Sequence, residues 1–247
     1  AASDVYKRQV SCRACGHVIK CPHCDVSLSQ HGSGAATRLV CHYCGYTTIQ
    51  PGLCPVCGSK YISGFKAGTQ KIEQVVKARF PQARVLRMDM DTTRTKDGYE
   101  QILSAFSNHE ADILIGTQMI VKGHDFPGVT LVGVLAADLS LYISDYRASE
   151  RTFQLLTQAA GRAGRGDIPG NVIIQTYDPD HYSITTAKEQ NYEAFYGQEI
   201  EYRKMMRYPP VWNMLYILCA SKNEAAASEA AVALMGKIDQ IVRELSL

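Results

Sequence analysis

The chain has 247 residues, 46% hydrophobic and 20% charged, with 26 Lys+Arg against 24 Asp+Glu. That is enough for one large or two small domains, and too apolar for a disordered polymer. A net charge of +2 excludes nucleic-acid binding by bulk attraction, so any such contact must come from local placement of basic groups. No apolar run reaches the eighteen or so residues of a spanning helix, and no basic start leads into an apolar core with a small-residue cleavage site. The chain therefore reads as soluble, unexported and cytoplasmic.

Taken in order, the first segment stands apart. DVYKRQ, Asp4 to Gln9, has the look of a translated sequencing adapter, and native sequence is expected to begin near Val10. Residues 10–62 are rich in Cys, Gly, His and Pro and poor in long apolar periods, as expected where metal rather than a core holds the fold. Eight of the nine cysteines fall here as four C-x-x-C pairs, Cys12/Cys15, Cys21/Cys24, Cys41/Cys44 and Cys54/Cys57. In a chain without an export signal these are metal ligands before they are disulfides.

Four pairs fill two four-thiolate zinc sites in three ways, and the spacing does not choose outright. Sequential pairing closes the first site over a tight five-residue gap. Joining the second and third pairs gives the sixteen-residue gap of a zinc ribbon. The nested arrangement is favoured: one ion on Cys21, Cys24, Cys41 and Cys44, the other on Cys12, Cys15, Cys54 and Cys57, with interleaved pairing as runner-up. Four thiolates leave no open position, so both ions would be structural. His23 and His42 lie inside knuckles; because the thiolate count is complete, a second-shell or solvent-facing role is favoured over ligation.

From about residue 63 helical and strand periods alternate. Thr69 to Phe80 is a helix with Ile72, Val75, Val76 and Phe80 on one face, closed by Pro81. RVLRMD (84–89) is a strand, and Asp97 to Ser107 a helix through Tyr99, Ile102, Leu103 and Phe106. DILIGT (112–117) and TLVGVLAAD (130–138) are buried strands, followed by a helix over 148–160 and the strand NVIIQTY (171–177). The alternation predicts a parallel sheet covered by helices. YPPV (208–211) is a breaker. MLYILCA then reads as a strand and Ala225 to Leu245 as an amphipathic helix through Ala227, Ala231, Leu234, Ile238, Ile241 and Leu245, the start of a further domain.

Two segments carry chemistry. The turn after DILIGT, at the carboxyl end of a parallel strand where α/β sheets place ligand contacts, holds Thr117, Gln118, Lys122 and Asp125. Helix 148–160 ends in QAAGRAGRG, Gln158 to Gly166, where Arg162 and Arg165 flanked by glycines can bring guanidinium forks close to phosphate oxygens. Taken singly, the first could be a polar loop and the second a helix C-cap with favourable basic charge.

Together, TQMIVKGHDFPGVTLVGV and QLLTQAAGRAGR resemble motifs V and VI of superfamily 2 helicases, and the eight-cysteine insertion resembles that of the primosomal replication-restart helicases. The resemblance runs from Val10 to Leu247. It implies an α/β fold: residues 63–205 as a RecA-like second lobe, a parallel sheet with helices on both faces, carrying the 10–62 zinc module. Residues 206–247 would open a C-terminal α+β domain. It implies an ATP-dependent helicase translocating 3′ to 5′ on single-stranded DNA and rebuilding the primosome at stalled forks. Partners would be single-stranded and forked DNA, primosome proteins and single-stranded DNA-binding protein, with no membrane.

By the same resemblance Arg165 is the arginine finger, Arg162 its partner on the nucleotide phosphates, and Gln158 a group positioning the attacking water or the finger. Gly123 and Asp125 couple nucleotide state to DNA grip. Thr117, Gln118 and Lys122 contact the DNA backbone, and Gly68, Thr69 and Gln70 line the DNA path.

The chain departs from the family's pattern in having no G-x-x-x-x-G-K-[ST] and no Asp-Glu dipeptide. ATP with Mg²⁺ would thus be held mainly by a first lobe, and the first strand of the second lobe is expected ahead of the zinc insertion, leaving a sheet position unpaired. The rival reading is a non-enzymatic zinc-ribbon module binding nucleic acid or primosome proteins; thiol redox chemistry is a distant third. Among single residues, Cys219 reads as a buried core thiol and Trp212 as a hydrophobic anchor between domains. His124 is either a nucleotide or DNA contact or a loop histidine, and Tyr142 and Tyr146 either face DNA or cover the sheet. Asp138 either relays between lobes or caps the following turn.

Overall fold

One backbone turn, repeated four times, organises the cysteine-rich segment. In each, the first cysteine's carbonyl accepts the N–H four residues on, from Gly16, Asp25, Gly45 and Gly58. Its own N–H donates to the carbonyl five residues on, in His17, Val26, Tyr46 and Ser59. The fourth residue after that cysteine is left-handed each time, φ 77°, 50°, 74° and 71°, which accounts for three glycines and one Asp there. The computed structural model describes residues 10–31, 37–63, 68–93, 97–121, 126–143, 145–166, 168–221 and 223–245. The suspected leader, residues 1–9, lies outside them.

Between the turns run short antiparallel strands. β1 (Ser11–Cys12) pairs with β5 (Ile62–Ser63), and β2 (Ser29–His31), β3 (Arg38–Val40) and β4 (Thr47–Ile49) form a three-stranded sheet, Ser29 opposite Val40 and Val40 opposite Thr47. Val10, Val26, Leu28 and Leu39 are buried with Cys21 and Cys41 in a small core. This module and the α/β elements up to Tyr202 form one compact unit, and Arg203–Leu247 form another.

The α/β part follows the predicted order. α1 (Thr69–Arg79) stops before Pro81, and β6 (Val85–Met88) leads to α2 (Gly98–Ser107) and β7 (Ile113–Gly116). β6 and β7 run parallel with Val85 opposite Ile113. A 3-10 turn, Gln118–Val121, follows β7 directly. β8 (Leu131–Val134), α3 (Asp138–Leu141), α4 (Ala148–Ala160) and β9 (Asn171–Ile174) come next, with β8 parallel to β9, Leu131 opposite Asn171. Among the described residues the parallel strands thus form two pairs. Leu131, Leu135 and Ile173 are exposed on the side of β8–β9 away from α4.

Two helices unread in the sequence complete the core: α5 (Tyr182–Lys188) and α6 (Tyr192–Met206). Phe153 of α4 stacks on Phe195 of α6, ring centroids 4.3 Å apart, and Ala137, Leu141, Leu156, Ile184 and Ala187 close round them.

In the second unit, MLYILCA forms no strand. Met214 to Leu218 are exposed, because a strand needs a ladder partner and none is present among the described residues. α7 (Glu224–Glu244) forms, capped by Asn223 Oδ1 accepting from Ala225 N at 3.0 Å, but buries no residue. Along the Ala227–Leu245 face Ala227, Leu234 and Ile238 are half-buried, and Ala231, Ile241 and Leu245 are exposed. Cys219 is half-buried rather than a core thiol, and Trp212 is 50% exposed with the Arg207 guanidinium 5.4 Å above its ring, so it anchors nothing within this unit. No described helix is long and apolar enough to cross a membrane.

Candidate metal centres and motor site

The eight cysteines converge as two sets, Cys12, Cys15, Cys54, Cys57 and Cys21, Cys24, Cys41, Cys44, with all four sulfurs of each within 4.8 Å of one another. This is the nested arrangement. Individual Sγ–Sγ separations are 3.5 Å (Cys12–Cys57), 3.7 Å (Cys15–Cys54) and 3.5 Å (Cys21–Cys44). A tetrahedral zinc with Zn–S of about 2.3 Å sets its sulfurs about 3.8 Å apart, so both clusters fit that ion, and none of the eight is in a disulfide.

The thiols carry opposed shifts. Burial pushes Cys12 up, but the backbone N–H groups of Cys15 and Ala14 outweigh it and bring it down to about 6. Cys57, lowered by the Ser59 N–H, is carried up to about 12 by hydrogen bonding with Cys15 and by burial. In the other cluster the Tyr46 N–H lowers Cys44, whereas burial and then Cys44 raise Cys24. Four clustered thiols cannot all ionise alone; a dication supplies the charge that lets them.

Each cluster is fastened to the α/β part. On the Cys12 turn, Tyr177 donates through its hydroxyl to Arg13 O at 3.1 Å, and a Cβ on Gly16 would overlap Tyr177 Cβ. On the other module face, Tyr146 N donates to Tyr43 Oη at 2.9 Å, Ser27 Oγ to Tyr142 O, and Tyr202 Oη to Asp25 Oδ2 at 3.3 Å. Tyr142 and Tyr146 therefore meet the cysteine-rich module. Asp138 opens α3 and is buried; its carboxylate accepts Thr176 Oγ1 at 2.6 Å and Tyr177 N at 3.0 Å, which orients the residue that meets Gly16.

The arginine turn follows α4. Gly164 N donates to Val129 O at 3.0 Å, and a Cβ on Gly166 would come within 2.6 Å of Pro127 O. The glycines thus let the GRAGRG turn lie on the end of the KGHDFPGV segment. Arg162 is half-buried and Arg165 exposed. Arg165 Nε donates to Gly161 O at 2.6 Å, satisfying a carbonyl at the helix end. Gln158 is exposed on the last turn of α4. Thr117 and Gln118 are exposed at the carboxyl end of β7, where the 3-10 turn folds back and packs on α4. A Cβ on Gly116 would stand 2.7 Å from Met88 O and 2.6 Å from Ile120 Cγ2, so that sharp return needs glycine.

Lys122, Gly123, His124 and Asp125 lie outside the described residues. Gly68 and Gln70 are exposed at the start of α1, while Thr69 points inward, its hydroxyl donating to Asp89 Oδ2 at 2.5 Å. Asp89 also accepts the N–H groups of Asp91 and Thr92 and pairs with Arg87, which in turn pairs with Glu73. Sequence reasoning missed Asp89, Tyr177 and Tyr43. A carboxylate closing a strand before Thr-Thr was visible; the tyrosines' partners lie more than a hundred residues away and left no local signal.

Parallel strands linked through helices, a glycine-bound arginine turn beside the loop after a parallel strand, and two four-cysteine clusters define a class: an α/β domain joined to a cysteine-rich module with two candidate metal centres. The helicase conserved C-terminal domain matches residues 60–167, and the PriA DNA helicase Cys-rich region domain matches residues 21–48. The chain is 51% identical over 226 residues to replication restart protein PriA of Bacillus subtilis (strain 168), covering 92% of this chain and 28% of that protein. It is 47% identical over 236 residues to that of Synechocystis sp. (94% and 28%) and 45% identical over 219 residues to that of Chlamydia pneumoniae (88% and 29%). The chain is a homologue of the PriA replication restart proteins, and spans less than a third of the length of these three relatives.

Proposed function

We propose that the chain is the zinc module (10–62), second motor lobe (63–205) and opening of the C-terminal domain (206–247) of an ATP-dependent DNA helicase of replication restart. It works in the bacterial cytoplasm beside the nucleoid and moves 3′ to 5′ on single-stranded DNA. Its partners are single-stranded and forked DNA, primosome proteins and single-stranded DNA-binding protein. The observation that carries the reading is the GRAGRG turn laid against Pro127 and Val129, in a chain whose relatives are named replication restart proteins.

In this reading ATP and Mg²⁺ sit mainly on a first lobe, and this chain supplies the other wall of the site. Arg165 leaves the Gly161 carbonyl and presents its fork to charge developing on the transferring phosphoryl group. Arg162 braces the nucleotide phosphates, and Gln158, one helical turn earlier, positions the attacking water or the finger. Gly123 and Asp125 couple nucleotide state to DNA grip, Thr117 and Gln118 meet the DNA backbone at the carboxyl edge of β7, and Lys122 contacts that backbone too. Thr69 shapes the DNA path through its backbone, its hydroxyl being held by Asp89. The two zinc ions are structural, since each cluster offers four thiolates and no open position.

Arg165→Ala in the full-length protein tests this. DNA-stimulated ATP hydrolysis should fall about a thousandfold or more, with single-stranded DNA affinity and zinc content unchanged. Hydrolysis within a few-fold of wild type would overturn it and favour the non-enzymatic binding module.

A further inference from the structure

Outside the cysteine clusters, two histidines of the zinc module converge. His31 ends β2, and His42 lies between Cys41 and Cys44. Their Nε2 atoms are 3.3 Å apart, with ring centroids 5.1 Å apart and planes at 64°. Two imidazole nitrogens on one tetrahedral zinc, each at about 2.0–2.1 Å, stand about 3.3–3.4 Å from one another. The observed gap therefore matches that of two ligands of one ion, and is long for an N–H···N hydrogen bond between neutral rings.

The scaffold holds this geometry without the ion. His31 is fixed by the β2–β3 register, in which it faces Arg38. His42 is fixed by its knuckle, where Cys41 N donates to Tyr46 O and Gly45 N to Cys41 O. Both backbones are set by the fold before any third ion arrives, which lowers the ordering cost of ligation. The pair is exposed, so water has access.

We propose that His31 and His42 form a third metal site, open and exchangeable, for a divalent transition ion of borderline softness such as Zn²⁺. Each histidine ligates through Nε2 as the neutral imidazole. Water fills the remaining positions and exchanges with solvent, since the pair is exposed. An ion here ties the end of β2 to the third knuckle, so occupancy stiffens the hairpin next to the Cys21–Cys44 cluster.

Equilibrium dialysis of the full chain against Zn²⁺, followed by atomic emission counting, tests the site. Wild type should rise from two to three zinc ions per chain, while His31→Gln and His42→Gln each stop at two. Two ions in wild type at saturating zinc, or a third ion kept by either variant, overturns the proposal. Should a variant also lose a cluster zinc, ¹⁵N imidazole spectra of wild type decide instead. On adding zinc beyond two equivalents the Nε2 signals of both His31 and His42 should move; no movement of either overturns the site.

Discussion

His181 caps α5 with its ring: Nδ1 accepts the Ser183 N–H at 3.2 Å, so the imidazole is neutral with its proton on Nε2. Burial, followed by the raising effect of Asp178 and the lowering effect of Lys20, leaves its pKa below the ordinary 6.5. The unfolded chain then binds a proton here that the folded chain does not, so stability falls as pH drops below about 6.5. His181→Asn keeps a capping acceptor and removes the titration. Urea midpoints at pH 7.5 and 5.5 should separate for wild type and draw together for the variant; equal separation in both would refute this account. Gly16 offers a second test. Gly16 and Gly45 share left-handed φ values of 77° and 74°, so alanine costs about 1–2 kcal/mol at either through the backbone. At Gly16 the new methyl also overlaps Tyr177, whereas at Gly45 nothing lies within 4 Å. Gly16→Ala should therefore destabilise the zinc-loaded protein clearly more than Gly45→Ala in chemical denaturation. The C-x-x-C spacing made the cysteines legible as ligands, and a Gly or Asp after each knuckle marks the turn. Tyr177 on Gly16 was not legible, because nothing in local pattern ties position 16 to position 177.

Elements were legible where one face is buried. α4 spans Ala148–Ala160 as its period predicts because Thr152, Phe153, Leu156 and Ala159 are buried along one stripe. α5 and α6 went unread because Tyr, Thr, Ser and Glu occupy their inward positions, with Ser183, Thr186 and Glu199 buried as fully as Ile184 and Phe195. Tyr182 Oη donates to Glu199 Oε2 at 2.7 Å, the kind of polar pairing that hides a helix from hydrophobic periodicity. MLYILCA shows the converse: an apolar run is only a potential strand until a neighbour supplies its ladder. The parallel pair β6–β7 is fastened at its start by Arg84, whose guanidinium grips Asp112 at 2.8 and 3.1 Å while its backbone N–H donates to the same carboxylate. Arg84 holds the Asp112 carboxyl down to about 2. Arg84→Gln should raise that titration toward about 3.9 in side-chain NMR, and an unmoved Asp112 would show that the backbone N–H alone sets it. The pair's stabilisation is present above about pH 4 and is lost as pH falls through about 2. At the module's scale, metal on the two cysteine sets would hold what the short strands β1 to β5 cannot. Each structural zinc contributes on the order of 10 kcal/mol to a small cysteine-rich domain, so chelation should melt β2–β4 and leave β6–β7 protected. Hydrogen exchange with and without chelator reads the difference.

At the scale of the molecule, the proposed function makes the site one wall of a two-walled device. The paired arginines can neutralise charge on a phosphoryl group, but binding the nucleotide takes a phosphate cradle and a carboxylate for Mg²⁺. The sequence holds one Gly-Lys pair, Gly236/Lys237; it lies within α7 without a glycine loop, and no Asp-Glu dipeptide occurs. Helical N–H groups at Lys237 are committed to the helix, so that pair cannot wrap a phosphate. The 247-residue chain should therefore show no ATP turnover above a protein-free blank, with or without single-stranded DNA and Mg²⁺. The exposed apolar groups are consistent with surfaces built to be covered. Leu131, Leu135 and Ile173 lie bare in the first unit, and Leu215, Ile217 and Leu218 in the second, so light scattering should show concentration-dependent association of the isolated chain. If a separately produced first lobe is added, DNA-stimulated hydrolysis should appear, the association should weaken, and Arg165→Ala should abolish the hydrolysis. Turnover by the chain alone that survives Arg165→Ala would mean a nucleotide site elsewhere, and hydrolysis restored in trans but indifferent to Arg165 would remove the finger from the mechanism while leaving the lobe in place.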